Sequence, residues 1–139
     1  MNRLFVDTSG WANLFIPTET HHHQTRQLFL ALYRDRQPII TSSYIIAELV
    51  SLLDTRLRAA RSQKLEHIAT LKNSPNITII HITEEIDAAA WTLCQSRSDK
   101  PWSLVDCSSF VLMKQLNIQT ALTTDRHFEQ AGFIRLLKS

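Results

Sequence analysis

Four isolated acids stand where acids are unexpected: Asp7, Glu48, Asp106 and Asp125. The first three interrupt apolar runs, LFVDTSGW, YIIAELVSLL and WSLVDCSSFVLM. The fourth ends the stretch QTALTTD. Removing a carboxylate from water is costly unless its charge is compensated. Buried acids are nearly always paired. No base adjoins Asp7, Glu48 or Asp106 in the sequence, and only Asp125 has one, Arg126, beside it, so a shared cation is the natural partner. Oxygen-only ligands favour a hard ion, Mg²⁺ or Mn²⁺.

The elements that must position these acids alternate between strand and helix. Leu4–Val6 reads as a short strand and Thr8–Phe15 as a short helix ending near Pro17. Thr20–Arg34 reads as a helix. Pro38–Thr41 is the next strand, and Ser42 or Ser43 caps a helix through YIIAELVSLLDTRL. A helix over Ser62–Leu71 precedes the strand Ile77–Ile82. Thr83 caps EEIDAAAWTLCQS, with acids in its first turn. After Lys100-Pro101, Ser103 opens a helix to Leu116. A strand over Thr120–Thr123, a short helix from Arg126, a stop at Gly132 and a strand over Phe133–Leu136 complete the chain. Strands separated by helices imply an α/β fold, with a parallel sheet and helices on both faces. Such sheets bind ligands beyond the carboxyl ends of their strands. Asp7 and Asp125 both follow strands, which puts them at that edge. Glu48 lies three residues after Ile45, so the spacing turns it toward the apolar stripe of Ile45, Leu49, Leu52 and Leu53.

Each acid also has a plain structural reading. Asp7 and Asp125 can cap the helices that follow them. Asp106 can complement a helix dipole. Glu48 can reach water from the edge of its stripe.

The length of 139 residues fits one domain, taken as 1–139, and the composition is that of an ordinary globule, 44% hydrophobic and 20% charged. No apolar run is long enough for a membrane span, and the N-terminus lacks a signal-peptide layout, so a cytoplasmic protein is expected. Only Gly10 and Gly132 are glycine, which argues against P-loop and dinucleotide fingerprints. Cys94 and Cys107 form no CxxC and read as reduced core thiols. Net charge is +2, which leaves room for an acidic site inside a basic rim.

VDTSGW, AEL, SLVD and TTDRHFEQAGF, in that order, resemble the PIN-domain ribonucleases, and in particular the VapC-type toxins of bacterial toxin–antitoxin pairs. The resemblance runs from Arg3 to Leu136. It implies a three-layer α/β/α fold with a central parallel sheet of four to five short strands. It also implies that Asp7, Glu48, Asp106 and Asp125 are the catalytic metal ligands, supported by hydroxyls of Thr8, Ser9, Ser103 and Thr124. The implied activity is cleavage of RNA phosphodiester bonds by water activated on Mg²⁺ or Mn²⁺. A cognate antitoxin and a homodimer are implied as well. A non-catalytic RNA- or protein-binding domain on the same fold is the alternative. A haloacid-dehalogenase-like phosphatase also carries an aspartate after its first strand, but it wants a second acid where this chain has Ser9.

Lys100, Trp102 and Arg126 are candidate RNA contacts, with Trp102 either stacking on a base or serving as a core anchor. His127 lies beside Arg126 and could share that role. Arg56, Arg58, Arg61 and Lys64 form either a phosphate rail or a solvated face. His21, His22 and His23 point in different directions on a helix and cannot share one ion. Trp11, Leu14 and Phe15 read as core packing or a partner interface.

Overall fold

The computed structural model describes residues 3–138. Five strands form one parallel sheet: β1 (Leu4–Val6), β2 (Ile39–Ser42), β3 (Ile77–Ile80), β4 (Thr120–Leu122) and β5 (Ile134–Arg135). Their order is β3-β2-β1-β4-β5. Seven helices connect them among the described residues: α1 (Thr8–Phe15), α2 (His22–Arg34), α3 (Ser43–Arg56), α4 (Arg61–Asn73), α5 (Glu84–Ser96), α6 (Leu104–Gln115) and α7 (His127–Gln130). The chain first winds outward from β1 to β2 and β3, then crosses back to β4 and β5. Because such crossovers are right-handed, the reversal puts α1–α4 on one face and α5–α7 on the other. The expected three-layer fold is therefore present, with five strands.

Element boundaries differ from the sequence reading in a few places. α2 begins at His22, after the turn that follows Pro17, and not at Thr20. β3 ends at Ile80 and not at Ile82, because the Ile82 N–H leaves the ladder to donate to Ser43 Oγ at 3.0 Å. α7 begins at His127, one residue later than expected. Ser42 is the residue that caps α3, accepting from Ile45 N–H at 3.2 Å. Thr83 caps α5 through Ile86 N–H.

The core lies on both faces of the central strands. β1 and β2 are buried along their whole length, as parallel strands covered twice must be. Trp11 packs on Phe29 with ring centroids 5.3 Å apart and donates its indole N–H to Thr41 Oγ1. On the opposite face Phe110 meets Trp102 and Phe128 edge to face. Trp11 thus belongs to the core, while Leu14 and Phe15 are half-buried at its margin. Gly10 lets α1 lie directly on the sheet: a Cβ there would strike the Leu122 carbonyl and come within 2.9 Å of Val6 Cγ1.

Candidate metal centre and active-site cleft

β1 and β4 are neighbours in parallel register, with Val6 opposite Leu122. They are also the strands between which the winding reverses, which opens a crevice beyond their carboxyl ends. Asp7 and the segment 123–125 emerge side by side at that crevice. Asp7 occupies the N-cap position of α1, but its side chain makes no capping bond. Its Oδ2 instead accepts the Thr123 hydroxyl at 2.9 Å and faces Ser9 Oγ at 3.3 Å. Thr123 Oγ1 also accepts the Asp125 N–H at 3.0 Å, and Ser9 Oγ accepts the Thr124 N–H at 3.0 Å. Two hydroxyls therefore tie the end of β4 to the first carboxylate.

The other acids arrive from helices. Thr8 Oγ1 donates to Glu48 Oε1 at 2.5 Å, joining α1 to α3. Glu48 is exposed and lines the cleft, so its expected place on the core-facing stripe is corrected. Ile45, Leu49 and Leu53 form the buried row of α3. Glu48 precedes Leu49 by one residue, about 100° around the helix, and that rotation turns it out of the core. Asp106 closes a capping box: Ser103 N–H donates to Asp106 Oδ2 at 3.1 Å, and Asp106 N–H donates to Ser103 Oγ at 3.0 Å. Asp125 Oδ1 accepts the His127 N–H at 2.9 Å. Asp106 therefore combines capping with a place in the cleft, whereas the expected cap by Asp125 is corrected: Arg126 is the N-cap of α7, and Asp125 binds the His127 N–H from one residue ahead of it.

All four acids line one cleft of about 590 Å³, together with Thr8, Ser9 and Thr124. Burial pushes the Asp7 carboxyl up to about 7, with hydrogen bonds from Thr123 and Thr8 opposing and the charges of Asp106 and Glu48 adding to the rise. Burial also raises Asp106, aided by Asp125 and opposed by the Ser103 backbone and His127. Asp7 held this way needs a cation to be fully ionised at neutral pH. Their oxygen donors fit a hard divalent ion.

The sequence reading missed two residues. Thr123, fully buried, makes the direct hydrogen bond to Asp7, whereas Thr124 contributes its backbone and lines the cleft. The sequence TTD contains the signal but does not say which threonine faces inward. His127 was not placed among the acids, yet its Nδ1 lies 3.3 Å from Asp106 Oδ2 and 3.2 Å from Asp125 Oδ1. Its position two residues after Asp125 at the sheet edge was the available clue.

Among the suggested RNA contacts, Trp102 is corrected. It is only 9% exposed, its indole N–H donates to Gln130 Oε1, and the Arg97 guanidinium covers its ring. It is a core anchor with no face free for a base. Lys100 is half-buried and does not line the cleft. Arg126 is exposed and lines an adjoining polar pocket with His127, Gln130 and Arg135. In the basic segment, Arg61 and Lys64 pair with Asp54, and Arg56 pairs with Glu19 at 2.9 Å. Among the described residues, Arg56 is the one Arg or Lys lining the cleft. The three histidines do diverge: His21 reaches the cleft, His22 Nδ1 bonds the Asn13 carbonyl at 2.8 Å, and His23 is exposed. Cys107 is buried and Cys94 half-buried, both as free thiols.

The sequence pattern of the PIN domain matches residues 4–134. The chain belongs to the PIN-domain family. Among characterised PIN proteins it is similar to the 23S rRNA-specific endonuclease VapC20 of Mycobacterium tuberculosis, 29% identical over 136 residues that cover 96% of this chain and 97% of that protein. The crystal structure of that VapC20, described as a sarcin–ricin loop cleaving toxin, superposes with a TM-score of 0.80 at 27% identity, covering 94% of this chain and 96% of the other. FitAcB from Neisseria gonorrhoeae shares the fold at a TM-score of 0.66 and 18% identity, over 96% of each chain. Among the described residues of this PIN protein, no helix is long and apolar enough to cross a membrane.

Proposed function

We propose that this PIN protein is a divalent-metal-dependent endoribonuclease and the toxin of a toxin–antitoxin pair, with residues 1–139 acting as one PIN domain. The observation that carries this reading is the convergence of Asp7, Glu48, Asp106 and Asp125 on one cleft. Bound Mg²⁺ or Mn²⁺ would supply an activated water and neutralise charge on the scissile phosphate. The chain's own residues prepare that chemistry. Thr8 fixes the rotamer of Glu48, and Thr123 fixes that of Asp7. The capping box holds Asp106 at the start of α6. Arg56 offers a positive charge at the cleft for the RNA backbone. A non-catalytic binding domain would not need four converging acids.

The sarcin–ricin loop is the first RNA to test, because the similar VapC20 cleaves it. The purified protein should cut this or another structured RNA with Mn²⁺, and both EDTA and Asp7→Asn should abolish the cut. Cleavage that persists in Asp7→Asn would refute this site. An antitoxin protein as partner and a homodimer complete the proposal. Light scattering tests the dimer, and co-purification with the product of an adjacent reading frame tests the antitoxin.

A further inference from the structure

The carboxylates alone explain a hard-ion site, yet His127 stands within hydrogen-bond reach of two of them. Its imidazole stands between Asp106 and Asp125, with Nδ1 3.3 Å from one carboxylate oxygen and 3.2 Å from the other. One donor atom from each of the three residues lies within 4.8 Å of the other two. In an octahedral shell with bonds of about 2.1 Å, adjacent donors lie about 3 Å apart and opposite donors just over 4 Å apart. The His127 spacings are those of adjacent positions.

The three side chains are also held from behind. Asp106 is fixed by its exchange of hydrogen bonds with Ser103. The His127 N–H binds the Asp125 carboxylate, and the Asp125 N–H binds Thr123 Oγ1. Histidine and aspartate are thus tied to one another and to the end of β4. Supporting contacts of this kind orient donors before an ion arrives.

We propose that His127 is a nitrogen ligand to a cation shared with Asp106 and Asp125, and that it makes this position favour Mn²⁺ over Mg²⁺. Mg²⁺ keeps an oxygen shell and gives up water reluctantly. Mn²⁺ has the same charge and accepts the same octahedral carboxylate shell. It stands at the weak end of the first-row series, whose later ions suit imidazole best, but it gives up water for a nitrogen donor more readily than Mg²⁺ does. The inference rests on the metal-dependent reading above.

The test uses the full chain and Mn²⁺ alone, without RNA. Free Mn²⁺ is counted by its electron paramagnetic resonance signal during a titration, and pulsed spectra of the bound ion are searched for nitrogen coupling from a ligated imidazole. The coupling should be present in the wild type and should change on ¹⁵N labelling of histidine. It should vanish in His127→Ala and survive in His21→Ala, the imidazole that lines the neighbouring acid cleft. Mn²⁺ affinity should fall at least about ten-fold in His127→Ala, the loss typical of removing even an outer support, while Mg²⁺ affinity, measured by competition, should fall less. Bound Mn²⁺ without nitrogen coupling in the wild type would overturn the role of His127 and leave the metal nuclease intact. Loss of the coupling in His21→Ala alone would also overturn it. No Mn²⁺ bound at millimolar concentration would sink both readings. The wild-type spectra decide the matter even if His127→Ala does not fold.

Discussion

The Thr123 hydroxyl donates a hydrogen bond to the Asp7 carboxylate and accepts the backbone N–H of Asp125, so one buried oxygen ties together the two acids at the sheet edge. Thr123→Val keeps the shape and removes both bonds. Its cleavage rate should fall about 10–100-fold, the usual effect of losing a support behind a metal ligand. Circular dichroism should remain native, with a stability loss of about 1–3 kcal/mol from the unpaired Asp125 N–H. An unchanged rate would show that Asp7 needs no such support. Trp102 gives the opposite pattern. Trp102→Ala should cost about 3–5 kcal/mol in denaturant titrations, and RNA affinity below the melting transition should not change. The acids were legible in the sequence because a charge inside an apolar run is conspicuous. Thr123 was not, because neighbouring strand residues point to opposite faces, and an error of one residue at a strand end exchanges them. His127 was read as a possible RNA contact and not as a neighbour of the acids, because the direction of its ring depends on where a four-residue helix begins.

The strands and helices were largely readable from alternating apolar runs and hydroxyl caps, and α5 and α6 open at the expected Thr83 and Ser103. Parallel pairing was inferable as well, since each strand is followed by a helix. The facing of Glu48 was not, because three residues around a helix leave it near either edge of the apolar stripe and only the packing of α1 decides. That packing depends on Gly10. A methyl group there meets the Leu122 carbonyl, a backbone atom that cannot turn aside. Gly10→Ala should therefore push α1 from β4 and cost about 1–3 kcal/mol, seen as a lower midpoint in urea at unchanged slope. Because α1 carries Thr8 and Ser9, cleavage should decline even where the fold persists. A variant as stable and active as the wild type would mean that α1 does not rest on β4 as described.

At the scale of the whole molecule, the cleft links stability to pH and to metal. The Asp7 carboxyl titrates near 3.8 when unfolded and about 7 when folded. Between those values the folded state holds a proton that the unfolded state has lost, so the Asp7 contribution is greatest below ~pH 4 and declines toward pH 7. The full span corresponds to roughly 4 kcal/mol in the absence of metal. The raised Asp106 acts in the same direction. Without metal, Asp7→Asn should gain in melting temperature relative to the wild type as pH rises from 5 to ~8. Millimolar Mn²⁺ or Mg²⁺ should stabilise the wild type most at the high end, by mass action. A difference between the two proteins that stays flat with pH would remove Asp7 from this account.

The hydrogen bond from Thr123 to Asp7 joins residues 116 apart. Nothing local can close that loop, and contacts of such long range are slow to form. A chain synthesised from its N-terminus displays Asp7 and Glu48 long before Asp125 exists. On the proposed function, a nascent chain should therefore leave RNA near it uncut until β4 has inserted beside β1. The same order should show in vitro: after dilution from denaturant, helical signal should return ahead of the power to cut.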